Sequence, residues 1–202
     1  MIGFEFQDST YYFFNCVPQW WPFNGDNWFY LEDGTRDFIE KNNFDADVYT
    51  GTSGICQLLD VNNNYVDIWL YIEDGARQLP VPKFNWRVIV DPEKNAGIAF
   101  VAVNNPHITE GEIDSYKICT NPIYNHPIME GIPSPDNIES GVIYACEVGD
   151  AARVIPEIPD ELADLKLLGS PSVATETLIS NCLMALVISI VKYSTSPLHI
   201  FY

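Results

Sequence analysis

Residues 85–103 constrain the fold more than any other stretch. Asn85–Val90, NWRVIV, and Gly97–Val103, GIAFVAV, are rich in β-branched, aromatic and small apolar residues. The turn formers Asp91-Pro92 and Asn95-Ala96 lie between them, so the two runs read as strands of a hairpin with a long turn. Pro80 and Pro82 fence the first strand at its start, since proline donates nothing to a ladder. Asp47–Thr50 reads as another strand ending at Gly51. Tyr65–Ile72, YVDIWLYI, alternates behind the turn Asn62-Asn63-Asn64 and reads as one more. Val142–Cys146 begins a strand or a helix, and a short helix is expected near Pro159–Leu168 with Asp160 as its N-cap. Residues 10–17, TYYFFNCV, suit a buried strand or the entry to a helix, and residues 104–140 read as loops with short elements.

The strongest helix signal is Asn24–Arg36, NGDNWFYLEDGTR. Asn24, Trp28, Glu32 and Arg36 recur every four residues and would share one face of a helix running to about Lys41. Asn24 or Asp26 can cap it, and Gly34 weakens its middle. The plain reading is a surface helix carrying a Glu32–Arg36 ion pair, worth ~0.2–0.5 kcal/mol. The sharper reading is a face for metal and phosphate: an amide oxygen, a carboxylate to steer water and a guanidinium fork. Several strands with such a helix make the class α+β, a mixed, mostly antiparallel sheet with flanking helices.

Composition narrows the choice of partners. With 47% apolar and 19% charged residues in 202, the chain is globular and most simply one domain, with two small ones allowed. Its net charge is −18, so a tight, charge-driven nucleic-acid coat is excluded. A nuclease is not, because a bound divalent ion can make one cleft locally positive. Five cysteines, Cys16, Cys56, Cys119, Cys146 and Cys182, include no CxxC or CxxH, which leaves a zinc site without support. Their spacing does not reveal disulfide partners. The start of the chain lacks the basic region of a signal peptide. The apolar tail Leu178–Val191 is shorter than the ~20 residues a membrane span needs, and it reads as a buried helix or as an artefact of the assigned end of the coding sequence.

Asn15, Pro18-Gln19, Asn24, Trp28, Glu32 and Arg36 together fit N-x-x-P-Q, a short loop, then N-x-x-x-W-x-x-x-E-x-x-x-R. This pattern resembles the DNA/RNA non-specific endonuclease family, the ββα-metal nucleases that include endonuclease G-like enzymes and a secreted arthropod branch. Tyr49-Thr50-Gly51-Thr52 resembles the family's strand-to-loop segment. Pro80–Ile89, PVPKFNWRVI, resembles its P-x-x-[YF]-x-K-V strand, and GIAFVAVNNPH, residues 97–107, resembles the arthropod branch. The likeness spans about residues 8–168, which makes 1–168 the nuclease domain and 169–202 an apolar tail outside the family. Several separated motifs in the right order are more specific than one short match.

The resemblance implies sequence-indifferent hydrolysis of DNA and RNA. One Mg²⁺, with Mn²⁺ as the alternative, would be held by Asn24. Glu32 and Arg36 would be the catalytic pair, Glu32 orienting the ion's waters and Arg36 gripping phosphate. Asn15 and Gln19 would lie beside Arg36 on the substrate side. Trp28 reads first as core and only second as a stacking platform. The resemblance also implies an extracellular protein, with a mitochondrial one as the alternative; it leaves room for a homodimer, and no membrane partner is expected.

One element of the pattern is missing. The family's general base is a histidine in Asp-Arg-Gly-His upstream of Asn15, on a hairpin facing the metal helix. The histidines here are His107, His126 and His199, and none has that context. The expectation is therefore a ββα-metal fold without its N-terminal catalytic hairpin, either a piece of a longer enzyme or a protein that has lost catalysis. Beside the nuclease stand a Mg²⁺-dependent nucleic-acid-binding protein without catalysis and an acidic interaction protein on the same fold.

Overall fold

The computed structural model describes residues 17–169 and 189–193 of the chain. The central hairpin forms as expected. β6, Pro82–Asp91, pairs antiparallel with β7, Ala96–Val103, from Phe84 opposite Val103 to Asp91 opposite Ala96. β1, Ala46–Ile55, lies on the other side of β6. β8, Ile143–Cys146, lies beyond β7. β10, Ser189–Tyr193, pairs antiparallel with β1, and β9, Lys166–Leu167, runs parallel to the start of β7. Among the described residues the main sheet thus runs β10-β1-β6-β7-β8, and its pairings are antiparallel except at β9. The helices lie beside it, which makes the fold α+β as the sequence indicates.

Side-chain alternation explains why the hairpin strands read as unbroken apolar runs. Ile98, Phe100 and Ala102 of β7 enter one core layer, while Ala99, Val101 and Val103 enter the other. Both faces are covered, so neither parity needs polar residues. The first layer is capped by the long helix α2, Asn27–Asn42, whose buried stripe is Asn27, Trp28, Leu31, Thr35, Phe38 and Ile39. That is helical spacing on one face. The second layer is closed by the 3-10 turn Glu110–Tyr116 and by helix α4, Val148–Ala152, with Ile155 and Ile158 beneath. A disulfide joins Cys119 to Cys146 with Cα atoms 6.0 Å apart, tying the loop after the 3-10 turn to β8.

Several expectations need correction. The first strand does not stop at Gly51 but continues to Ile55, because Gly51 faces Trp86 across the ladder. A Cβ at Gly51 would lie 2.4 Å from the indole, so the glycine admits the ring instead of ending the strand. Tyr65–Ile72 is two strands: β3, Tyr65–Asp67, pairs with β2, Gln57–Leu59, and β4, Trp69–Glu73, pairs with β5, Ala76–Pro80. The break is at Ile68, whose N–H donates to Cys56 and whose carbonyl accepts from Val81. Asp160 is the first residue of a 3-10 turn, Asp160–Leu162, and Pro159 takes the cap position. In the tail, Ser189–Val191 belong to β10 and not to a helix; the rest of that stretch, and residues 10–16, lie outside the described residues.

Gly34 in mid-helix has a packing reason. A Cβ there would lie 3.4 Å from Ile128 of helix α3, Pro127–Glu130, so the two helices meet over the glycine. The helix ends at Asn43, which takes the left-handed conformation (φ 49°) and donates its N–H to Glu40.

His126 belongs to the first core layer. Its ring centroid is 5.0 Å from that of Phe38 and 5.8 Å from that of Phe100, and its Nδ1 accepts the Ile128 N–H at the start of α3. Burial pushes its pKa from 6.5 down to about 4, against an opposing pull from the Leu168 backbone. Between those two values the unfolded chain holds the extra proton, so stability falls as pH drops from 6.5 towards 4. His126→Asn keeps an acceptor for the cap and removes the titration. Denaturant unfolding at pH 7 and pH 4.5 is expected to show a loss smaller by ~2 kcal/mol in the variant. An equal loss in both proteins would rule His126 out as the titrating group.

Candidate active site

The site forms where α2 crosses β6. On its helix-facing side, β6 presents Asn85 and Arg87 before returning to apolar Ile89, and Thr52 and Thr50 are their partners on β1. This is a buried polar gap in an otherwise apolar layer: Asn85 is 2% exposed and Arg87 7%. The gap is filled from above by α2. Arg87 Nη2 donates to Glu32 Oε1 at 2.8 Å, and the guanidinium stands 5.3 Å from the centre of the Trp28 ring. A cation stacked on indole and paired with a carboxylate is strongly oriented.

The ion pair expected within the helix is not the one that holds Glu32. Arg36 Nη2 bonds Asp33 Oδ1 at 2.7 Å, one turn back, while Glu32 turns to the sheet. Glu32 is half-exposed, and its second oxygen has no hydrogen bond among the described residues. It can therefore still bind a water. Trp28 is 4% exposed, so it serves as core beneath Arg87 and offers no free face for stacking a base.

Asn24 is not on the same helix. It sits in a separate turn, α1, Trp21–Gly25, and the chain breaks at Asp26 before α2 begins. Neither Asn24 nor Asp26 caps α2 through its side chain. Three contacts hold the break open. Phe23 is buried under Gly141, where φ is +81° and a Cβ would lie 2.2 Å from the Phe23 ring. Asn27 Nδ2 donates to the Ser134 and Gly141 carbonyls, both at 2.8 Å. The Asp26 carboxylate accepts from the Ser140 hydroxyl. A continuous helix would pull all three away from the 134–141 loop. Trp28, Glu32 and Arg36 keep the expected spacing on α2.

Asn104, fully buried at the end of β7, fixes the approach to α1. Its Oδ1 accepts from Trp20 N at 3.1 Å, and its Nδ2 donates to the Pro18 and Pro82 carbonyls, both at 3.0 Å. Gln19 is clamped between two residues held in this way and remains half-buried. Asn15 lies outside the described residues. Neither remaining described histidine approaches as a base: His126 is sealed in the core, and His107 sits edge-on to Trp20 at 5.1 Å.

The donor set fits a hydrated hard cation. The Asn24 side chain is exposed, with no hydrogen bond to the described protein, and it offers a neutral oxygen. The free oxygen of Glu32 suits an outer-sphere water. Among the described residues no three His, Cys, Asp or Glu side chains cluster as a metal cage. One protein ligand with retained water is the habit of Mg²⁺.

Sequence reading missed Arg87, Asn27 and Asn104. Arg87 stands where the family's strand motif has lysine, which was the available signal. Nothing in the sequence marks Asn27 or Asn104 as buried.

Fold and site together define an α+β protein with a polar centre at a helix–sheet crossing: the buried amide of Asn85, the guanidinium of Arg87 and the carboxylate of Glu32. The model of the DNA/RNA non-specific endonuclease family matches residues 2–150, and the chain belongs to that family. It is 26% identical to a salivary endonuclease of Lutzomyia longipalpis over 82% of this chain and 40% of the relative. It is 28% identical to the salivary protein Tsal1 of Glossina morsitans morsitans, over 74% of this chain and 36% of that protein. The salivary protein Tsal2A of the same fly is 26% identical, over 76% and 37%. The chain thus spans less than half the length of these curated relatives. No solved structure matches it.

A double-mutant cycle on Glu32 and Arg87 tests the pair that joins helix to sheet. Arg87→Leu and Glu32→Leu are expected to couple by ~1–3 kcal/mol in unfolding free energy, as contacting residues in one network do. Coupling near zero, as between exposed ions, would show that packing on Trp28 alone holds Arg87.

Proposed function

We propose that these residues form the metal- and phosphate-holding side of a nuclease that hydrolyses DNA and RNA without reading sequence. The observation that carries this reading is the divided carboxylate of Glu32: one oxygen is fixed by buried Arg87, and the half-exposed side chain leaves the other open to water. Asn24 would hold Mg²⁺, with Mn²⁺ as the alternative, through its amide oxygen. When bound, the ion supplies Lewis acidity to the scissile phosphate. Glu32 orients water at the ion. Arg36 grips a phosphate oxygen, exchanging Asp33 for the incoming anion, and Gln19 lies on the substrate side; for Asn15 the same role rests on the family pattern alone. Phosphate contacts carry little sequence information, which accounts for indifference to bases.

The proton acceptor is not supplied by His126 or His107, and the sequence contains no Asp-Arg-Gly-His. These residues are therefore expected to bind nucleic acid without cutting it. The similarity to salivary proteins and the Cys119–Cys146 disulfide favour an extracellular protein. No described helix is long and apolar enough to cross a membrane.

The purified chain is expected to bind DNA and RNA in Mg²⁺, to release them in EDTA, and to lose this binding on Asn24→Ala. Cleavage in Mg²⁺ that Asn24→Ala abolishes would overturn the binding-only statement. No Mg²⁺-dependent binding at all would overturn the site itself and leave an interaction protein on a nuclease fold.

A further inference from the structure

A concave site with no cationic side chain in its lining lies apart from the residues assigned to phosphate. It is a cavity of about 300 Å³ between the β2–β3 hairpin and the segment from Asn105 to Tyr116. Tyr65, Tyr116 and His107 supply aromatic wall, Ile108 apolar floor, and Gln57 and Thr109 polar edge. Its volume is at the low end of the ~300–1,000 Å³ usual for small-molecule pockets, enough for one ring system and its sugar.

The walls are held in place. Glu112 accepts from the Tyr65 hydroxyl and from the Thr109 N–H and hydroxyl, the last two at 2.8 and 2.7 Å. These three donors, the Tyr65 hydroxyl foremost, pull the carboxyl of Glu112 down to about 2, so it is charged at any physiological pH. The Tyr65 ring, 54% exposed, is therefore fixed at its tip by a residue 47 positions away while its face stays open. An immobilised aromatic face loses little entropy when a planar ligand stacks on it.

Charge selects the ligand. The lining contains no Lys or Arg, and it contains a carboxylate that already accepts three hydrogen bonds inside the protein. A phosphate is repelled there, whereas a neutral, flat, hydrogen-bonding group is not. One ring contact links the pocket to the chain entering the turn of Asn24. His107 on its wall meets Trp20 edge-on, and Trp20, pinned by Asn104, leads into the turn that carries Asn24.

We propose that this pocket receives one unstacked nucleobase of the strand whose phosphate lies at Asn24, stacking it on Tyr65. The inference rests on the nuclease reading for the identity of the strand, but it makes a separate demand on the pocket. A base can enter only after leaving its stack, so single-stranded or frayed nucleic acid is favoured over intact duplex.

Adenosine and cytidine, which carry no phosphate, are titrated into the full chain in EDTA and followed by amide NMR shifts. Shifts are expected to be confined to residues around Tyr65 and from His107 to Glu112. Tyr65→Ala should weaken binding about tenfold, within the range of base–aromatic stacking, and Tyr65→Phe, which keeps the ring, should weaken it less. Asn24→Ala should leave nucleoside binding unchanged. Shifts absent at millimolar nucleoside, shifts mapping elsewhere, or equal affinity in Tyr65→Ala would overturn the proposal, as would inorganic phosphate shifting the same residues. If Asn24→Ala abolishes Mg²⁺-dependent DNA binding while nucleosides shift nothing, the pocket fails and the phosphate site stands. If nucleosides bind as described and DNA does not, the pocket stands and the phosphate site fails.

Discussion

The contact on which the rest depends joins Arg87 of β6 to Glu32 of α2 above the Trp28 ring. It places two charges where a neighbouring turn would place Leu or Ile. Burying a guanidinium is costly unless its charge is matched, and the match here comes from a carboxylate that keeps one side in water. The arrangement fixes the rotation of α2 over the sheet, because the helix must present Trp28 and Glu32 together to one residue of β6. It also leaves a carboxylate oxygen that is oriented by the protein and not consumed by it. Side chains poised for phosphate chemistry need both properties.

The break at Asp26 follows from the same economy of contacts. α1 could have continued into α2, but Phe23, Asp26 and Asn27 each find a partner in the 134–141 loop that a straight helix would forfeit. Asn24 thereby leaves the line of Trp28, Glu32 and Arg36 and is carried on a turn anchored at both ends. Asn104 secures the entry through Pro18 and Trp20, and Asn27 secures the exit. Two buried amides thus act as rivets for an exposed one.

The two core layers divide the work. The layer under α2 contains the polar gap at Asn85 and Arg87, while the opposite layer is apolar, bridged by a disulfide and closed by short turns. The pocket beside Tyr65 borders the second layer, with which it shares Ile108 and Tyr116. In a chain this acidic, the nucleic-acid binding proposed above would depend on a few local cations and a bound metal rather than on a basic surface.

The sequence by itself determined the strand hairpin, the α+β class and the residues from Asn24 to Arg36 that make a site worth seeking. These signals are local: period-two apolar runs, proline fences, four-residue spacing and ordered motifs. Tertiary structure alone decided that Glu32 pairs with Arg87 and not Arg36, that Arg36 turns to Asp33, and that Asn24 stands on its own turn. It also decided that Gly51 serves an indole instead of a loop, and that Tyr65–Ile72 divides at Ile68. The physical reason is common to all of these. Each depends on a partner distant in the sequence, or on a competing contact one residue closer, and neither periodicity nor propensity encodes which of several suitable partners the folded chain will bring within reach.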